Sequence, residues 1–235
     1  MKKIYKKIEI KAINCNFLDT KMNNGIISLF SIHGLTKNIE LKLNNIRSEK
    51  IKINYFLPFF IKVSPNEGRK AKASDIKAKG LDNIFTGYVH LNLIIELESK
   101  DIENINKILE IFLKKSRLGG GNIIYVKVED LNEDKRIWGL YPKINETINE
   151  NPISFIKNNI LYYQKGIRNV LRIGELILSE LDKKGRFGHN LVISSPILSE
   201  VEFKRQKGLN IKNLFNENKM SVIKENKIIK IKQGE

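Results

Sequence analysis

The side chains that could grip a polyanion or move a proton fall in a few separate stretches of this chain. In KKSRLGGGNI, residues 114–123, Lys114, Lys115 and Arg117 stand just before Gly119, Gly120 and Gly121. One glycine would suffice to end a helix. Three in a row cost backbone entropy and supply no side chain to pack. Two readings follow: a backbone whose N–H groups lie against a phosphate, helped by the neighbouring cations, or a connector between a helix and a strand. A second basic stretch, SPNEGRKAKASDIKAKG at 64–80, carries Arg69, Lys70, Lys72, Lys77 and Lys79 with almost no large apolar residue. It reads as a loop that orders on a nucleic acid, or as a solvated one. In GRFGHN, Arg186 and Phe187 pair a cation with a ring between glycines, suited to stacking on a base or to an ordinary turn.

Three histidines complete the inventory: His33, His90 and His189. His33 lies in an apolar stripe with helical spacing. It reads as a packed residue or, where a 2′-hydroxyl comes within reach, as a general base. His90 sits mid-strand on a polar face, placed for contact. With one cysteine, Cys15, the three scattered histidines have no metal-ligand spacing, so no metal and no cofactor are expected. Nucleotide-binding glycine loops, the nucleophile elbow and paired catalytic carboxylates do not occur in the sequence.

The charge balance favours a polyanionic partner. There are 42 Lys and Arg against 26 Asp and Glu, a formal net charge of +16, and hydrophobic residues make up 41% of the 235, enough for a core. The lone cysteine excludes intrachain disulfides. MKKIYKKIEIK has no unbroken apolar run and no stretch approaches membrane-spanning length, so a cytoplasmic protein without membrane contact is expected.

Period-2 alternation in KIEIKAI (7–13) and YVHLNLIIELE (88–98), and the β-branched and aromatic content of 51–63 and 122–128, predict strands, with Pro58 at an edge or bulge. Helical spacing predicts helices over 25–35 and 101–115. The resulting order over 3–128 is βαββαβ. The expected fold class is therefore α+β: a ferredoxin-like (RRM-like) domain over 1–129 with a glycine-rich loop, and a smaller α+β C-terminal part over 130–235 packed on it. In that second part ISFIKNNILYY and IRNVLRIGELILSELDKK read as helices, LVISSPILSEVEFK as a strand, and the Lys-rich tail as a hairpin.

Glycine-rich loops between the second helix and fourth strand of such domains characterise the RNA-binding Cas proteins of CRISPR systems. Within that superfamily SRLGGGNI is similar to the R-L-A-G-G-x-I stretch of the small subunit that caps the 5′ handle of the guide RNA in type I-F (Csy-type) surveillance complexes. SLFSIHGL resembles the F-x-G-F-V-H-A-L helix of that family and puts His33 on its histidine. GRKAKASDIKAKGLDN resembles its long basic loop, and GYVHLNLIIEL its G-R-A-H-L-x-V-x-L strand, with His90 on the histidine. The resemblance runs from residue 5 to about 128. It implies a non-catalytic subunit whose partners are the guide-RNA 5′ handle, the backbone subunit and the large subunit, with target DNA as a further candidate. Lys114, Lys115, Arg117, Gly119–Gly121, the loop from Arg69 to Lys79, Arg186, Phe187, His33 and His90 would be its RNA contacts. The alternatives are a metal-independent repeat endoribonuclease with His33 as general base, and a mimic of the capping subunit that blocks the complex.

Overall fold

A computed structural model describes residues 2–17, 27–46, 50–65, 85–99, 105–131, 137–147, 168–184, 190–205 and 210–234. The first half runs β1 (Lys2–Phe17), α1 (Leu29–Ile46), β2 (Lys52–Pro65), β3 (Phe85–Ser99), α2 (Ile105–Leu113), β4 (Arg117–Leu118) and β5 (Gly121–Asp130). Then come β6 (Leu140–Thr147), β7 (Arg168–Lys184), β8 (Asn190–Arg205), α3 (Ile211–Asn218), β9 (Met220–Glu225) and β10 (Ile228–Gln233).

All ten strands join one sheet in the order β4-β5-β1-β3-β2-β6-β8-β7-β10-β9, and β9 also pairs with β2. Every pairing is antiparallel. This overturns the expected fold class. The chain is not a four-stranded ferredoxin-like α+β domain with a smaller α+β part added; it is a mostly antiparallel ten-stranded sheet carrying three described helices. The largest single cause is segment 168–184. Its Val170, Ile173 and Ile177 suit a helical stripe, yet it is strand β7, paired with β8 from Arg168↔Glu202 to Lys184↔Asn190. Gly174 permits the pairing with β10: a Cβ there would stand 2.8 Å from the Ile229 carbonyl oxygen, beside its partner Lys230. The helix expected over ISFIKNNILYY lies outside the described residues.

The strands alternate as β1 requires. Ile8, Ile10 and Ala12 are buried on one face, opposite Leu93, Leu91 and Val89 of β3 and beside Val128, Val126 and Ile123 of β5. Helices α1 and α2 cover this face through Leu29, Ile32, Leu35, Ile39, Leu43, Ile105 and Leu109, all buried in one cluster. The helix predicted over 25–35 continues to Ile46, because Ile39 and Leu43 prolong its apolar stripe. On the other face α3 and the chain around Ile137–Tyr141 cover one half of the sheet: Phe215 meets Tyr5 edge-on at 5.6 Å, and Tyr141 meets Phe59 at 5.7 Å.

The glycine triplet has a role in this framework. Leu118 pairs with Gly121, so Gly119 and Gly120 form a two-residue hairpin turn, with φ of 54° and 80°. Positive φ at both positions is what a twisted two-residue hairpin of the I′ kind needs. Gly121 packs backbone to backbone on an irregularity in β1, where Asn14 has φ 56°; a Cβ on Gly121 would lie 2.4 Å from the Ile13 carbonyl oxygen and 2.5 Å from the Cys15 nitrogen. Replacing Gly121 by alanine is therefore expected to destabilise the fold by about 3 kcal/mol. Gly34→Ala, in open space on α1, should stabilise it by about 0.5–1 kcal/mol. Urea midpoints of the two variants against the parent chain check both signs.

Candidate nucleic-acid interface

The half of the sheet face that α3 leaves uncovered is built by β5, β1, β3 and β2. Cross-strand register brings Tyr125 beside Lys11, Lys11 beside His90, and His90 beside Lys62. One step along, Lys127 stands beside Glu9 and Glu9 beside Asn92. Directly opposed residues share a face with Cβ atoms about 5 Å apart, so these side chains form one continuous patch.

Tyr125 is 38% exposed, and the Lys11 ammonium stands 4.7 Å from its ring centroid, a cation–π contact. Trp138 is 72% exposed; its carbonyl accepts a hydrogen bond from the Asn92 side-chain amide at 3.3 Å, which fixes its backbone against this face. Gly139 allows that approach: with φ 134°, a Cβ there would meet Phe59 and Phe60 backbone atoms at 3.0 Å. Tyr88, opposite Ser64, borders the patch in β3. Tyr125, Tyr88 and the cations Lys11 and Lys62, neither of them paired with a described carboxylate, thus share the surface, and Trp138 is exposed at its border. Lys127 is held by Glu129 at 2.7 Å, and that hydrogen bond and charge raise its pKa. Lys7 reaches the same carboxylate at 3.4 Å.

Lys114, Lys115 and Arg117 are exposed at the end of α2 and on the β4–β5 hairpin, at the edge of the sheet next to the start of β5. Gly119 and Gly120 form the tip of that hairpin, and the Gly119 carbonyl accepts a hydrogen bond from the Asn16 N–H at 2.8 Å. The close backbone approach that the triplet permits is taken up, at Gly121, by β1. Arg69, Lys70, Lys72, Lys77, Lys79, Arg186, Phe187 and His189 lie outside the described residues.

The two described histidines do not meet. His90 is on the open face, its Nε2 2.8 Å from Glu9 Oε1. His33 is on the opposite, helix-covered face, its ring 5.7 Å from Phe56. Its Nδ1 is buried without a hydrogen-bond partner among the described residues. Burial, then the Lys37 charge, lower its pKa, while Glu40 opposes the shift. Cys15 is buried beside the β1 irregularity, its thiol pushed up to about 11 by desolvation. Among the described residues no cluster of His, Cys, Asp and Glu could hold a metal ion, and no helix is long and apolar enough to cross a membrane.

Sequence reasoning singled out His90 on this face and missed Lys11, Lys62, Tyr125, Lys127, Glu9 and Trp138. The signal for β1 was present: in KIEIKAI, Glu9 and Lys11 alternate with buried Ile8 and Ile10. For Tyr125 it was misleading, since simple alternation puts it on the same face as Ile123. The β1–β5 register shifts between Lys11↔Tyr125 and Ala12↔Ile123, leaving Ile124 unpaired and turning Tyr125 to the open side. No protein-family model matches this chain, and no curated protein matches it.

The depressed pKa of His33 carries a sign. The folded chain holds this imidazole neutral, so stability is complete above the ordinary histidine range and declines as pH falls below it toward the lowered value. His33→Leu should flatten that decline. Comparing urea midpoints of parent and variant at pH 7.5 and pH 5 measures it, and an equal drop in both proteins would contradict it.

Proposed function

We propose that this chain binds single-stranded RNA across the open half of its sheet, as a non-catalytic guide-RNA-binding subunit of a type I-F-like CRISPR surveillance complex. The observation that carries the binding reading is the patch itself: exposed Tyr125 and half-buried Tyr88 among Lys11, Lys62 and Lys127, with exposed Trp138 beside them, on a chain of net charge +16. Single strands are held by aromatic rings that stack on bases and by cations that follow the backbone, and the stacking tolerates any base. Arg117, exposed on the β4–β5 hairpin, adds a cation at the sheet edge. The guide-RNA role rests on the sequence resemblance over residues 5 to about 128, which the patch accommodates without depending on it.

A nuclease with His33 as general base would have to bring RNA to the helix-covered side of the sheet, away from the exposed rings. The open face therefore supports binding without cleavage better.

Tyr125→Ala and Trp138→Ala should each weaken binding of a short single-stranded RNA by about 1–3 kcal/mol with little change in urea midpoint. Lys11→Ala and Arg117→Ala should each reduce the slope of log affinity against log salt by about 0.7. Fluorescence anisotropy over a salt series gives both quantities, and wild-type affinity in both aromatic variants would refute the stacking surface. Purification from cells carrying a type I-F repeat array, followed by sequencing of retained RNA, tests the guide role. Intact guides with a uniform 5′ handle support it. Repeats cut at one fixed site support the nuclease, and a stable complex with Cas subunits lacking RNA supports the mimic.

A further inference from the structure

A carboxylate stands in the middle of this basic, aromatic patch. Glu9 lies between Lys127 of β5 and Asn92 of β3 and is a diagonal neighbour of Tyr125. On a surface made only to hold phosphates, an acid at this place would repel the ligand. Two other acids of the face are engaged by lysines: Glu129 by Lys7 and Lys127, and the buried Glu96 by Lys3 at 3.3 Å. Glu9 instead faces His90, whose Nε2 is 2.8 Å from Oε1, and Oε2 has no hydrogen-bond or ion-pair partner among the described residues. A half-buried carboxylate fixed by an imidazole, with one oxygen available, is an acceptor for N–H groups.

We propose that Glu9 reads the edge of the base that stacks on Tyr125, and that this makes the face selective for guanine. The inference rests on the single-strand-binding reading of the same patch. Diagonal neighbours on a sheet are about 7–8 Å apart, a separation that a base plane on the tyrosine ring spans to reach the carboxylate. Of the four RNA bases, only guanine presents two adjacent N–H donors on its Watson–Crick edge, N1–H and the N2 amino group, which match the two oxygens of a carboxylate. Adenine and cytosine set a ring acceptor next to their amino group, and uracil flanks its single N–H with two carbonyls. His90 holds Glu9 in place from the side remote from Tyr125, and Lys11, its ammonium 4.7 Å from the Tyr125 ring centroid, stands beside the stacked base where it can turn to the adjoining phosphate.

The test uses the whole chain and a uridine-rich RNA octamer with one central position set to G, A, C, U or inosine, with anisotropy as the readout. Guanine should bind about tenfold or more tighter than the other three. Inosine, which keeps N1–H and lacks the amino group, should fall between. Glu9→Gln should abolish the preference while binding the all-uridine octamer at least as well as the parent, since a negative charge has been removed. The inosine comparison needs no variant, so a Glu9→Gln chain that failed to fold would not protect the proposal. Equal affinity for all five octamers would overturn guanine selectivity and leave single-strand binding standing. Failure to bind any octamer at low salt would overturn both.

Discussion

A strand has two hydrogen-bonding edges, and the way β2 divides its second edge determines the rest of this molecule. One edge pairs with β3 along nearly its whole length. The other meets β9 at Phe56↔Met220 and β6 at Phe60↔Leu140. Pro58 lies between these two contacts, and having no N–H it leaves no unmet donor where the edge passes from one partner to the other. Through this split the strands close a circuit, β2-β6-β8-β7-β10-β9 and back to β2. Gln233 fastens the closure: its amide donates to the carbonyls of Pro142 at 2.8 Å and Asn218 at 3.0 Å, and its oxygen accepts from the Ile144 N–H at 2.6 Å.

Closure at β2 is also what makes the exposed patch a half-face. The circuit brings α3 and the start of β9 over the sheet at Tyr5, Tyr55 and Glu96, where Lys219 lies 4.3 Å from the Tyr55 ring centroid. Leu57, Phe59 and Ile94 are fully buried there. Toward the C-terminal end of β1 the cover stops, and Lys11, Tyr125, His90 and Lys62 remain open. The two halves of one surface therefore differ in chemistry. Buried apolar side chains and a buried acid lie under the cover; the cations Lys11 and Lys62 and the exposed ring of Tyr125 lie beyond it.

The sequence disclosed those elements whose apolar period agrees with their final partners. The strands around 7–13, 88–98 and 122–128 and the helix around 101–115 were legible because each buries a stripe that its own residues define. Segment 168–184 was not: its spacing admits both periods, and only pairing with a strand some twenty residues later decides between them. The six-stranded closure was equally hidden, since single contacts such as Phe56↔Met220 leave no mark on composition. In the candidate site, cations were visible and their grouping was not. Lys11, Lys62 and Tyr125 come from three strands far apart in the chain, and only register assembles them.

The glycines connect these levels. Their number suggested an opening for phosphate, whereas Gly119 and Gly120 supply the turn and Gly121 the room for β1. A tight turn with left-handed φ at both positions holds the first residues of β5 in fixed register against β4. Gly121, lodged against the irregular stretch Ile13–Cys15, fixes the same residues against β1 from the other side. With its start pinned on both edges, β5 meets the straight part of β1 one residue out of step. The mismatch is absorbed at Ile124, 56% exposed and unpaired. That single extra residue is why Tyr125 faces Lys11 and the open side instead of the helices, and why Val126 and Val128 still reach the core. The triplet thus acts on the candidate site through register: it determines which side of the sheet presents the ring.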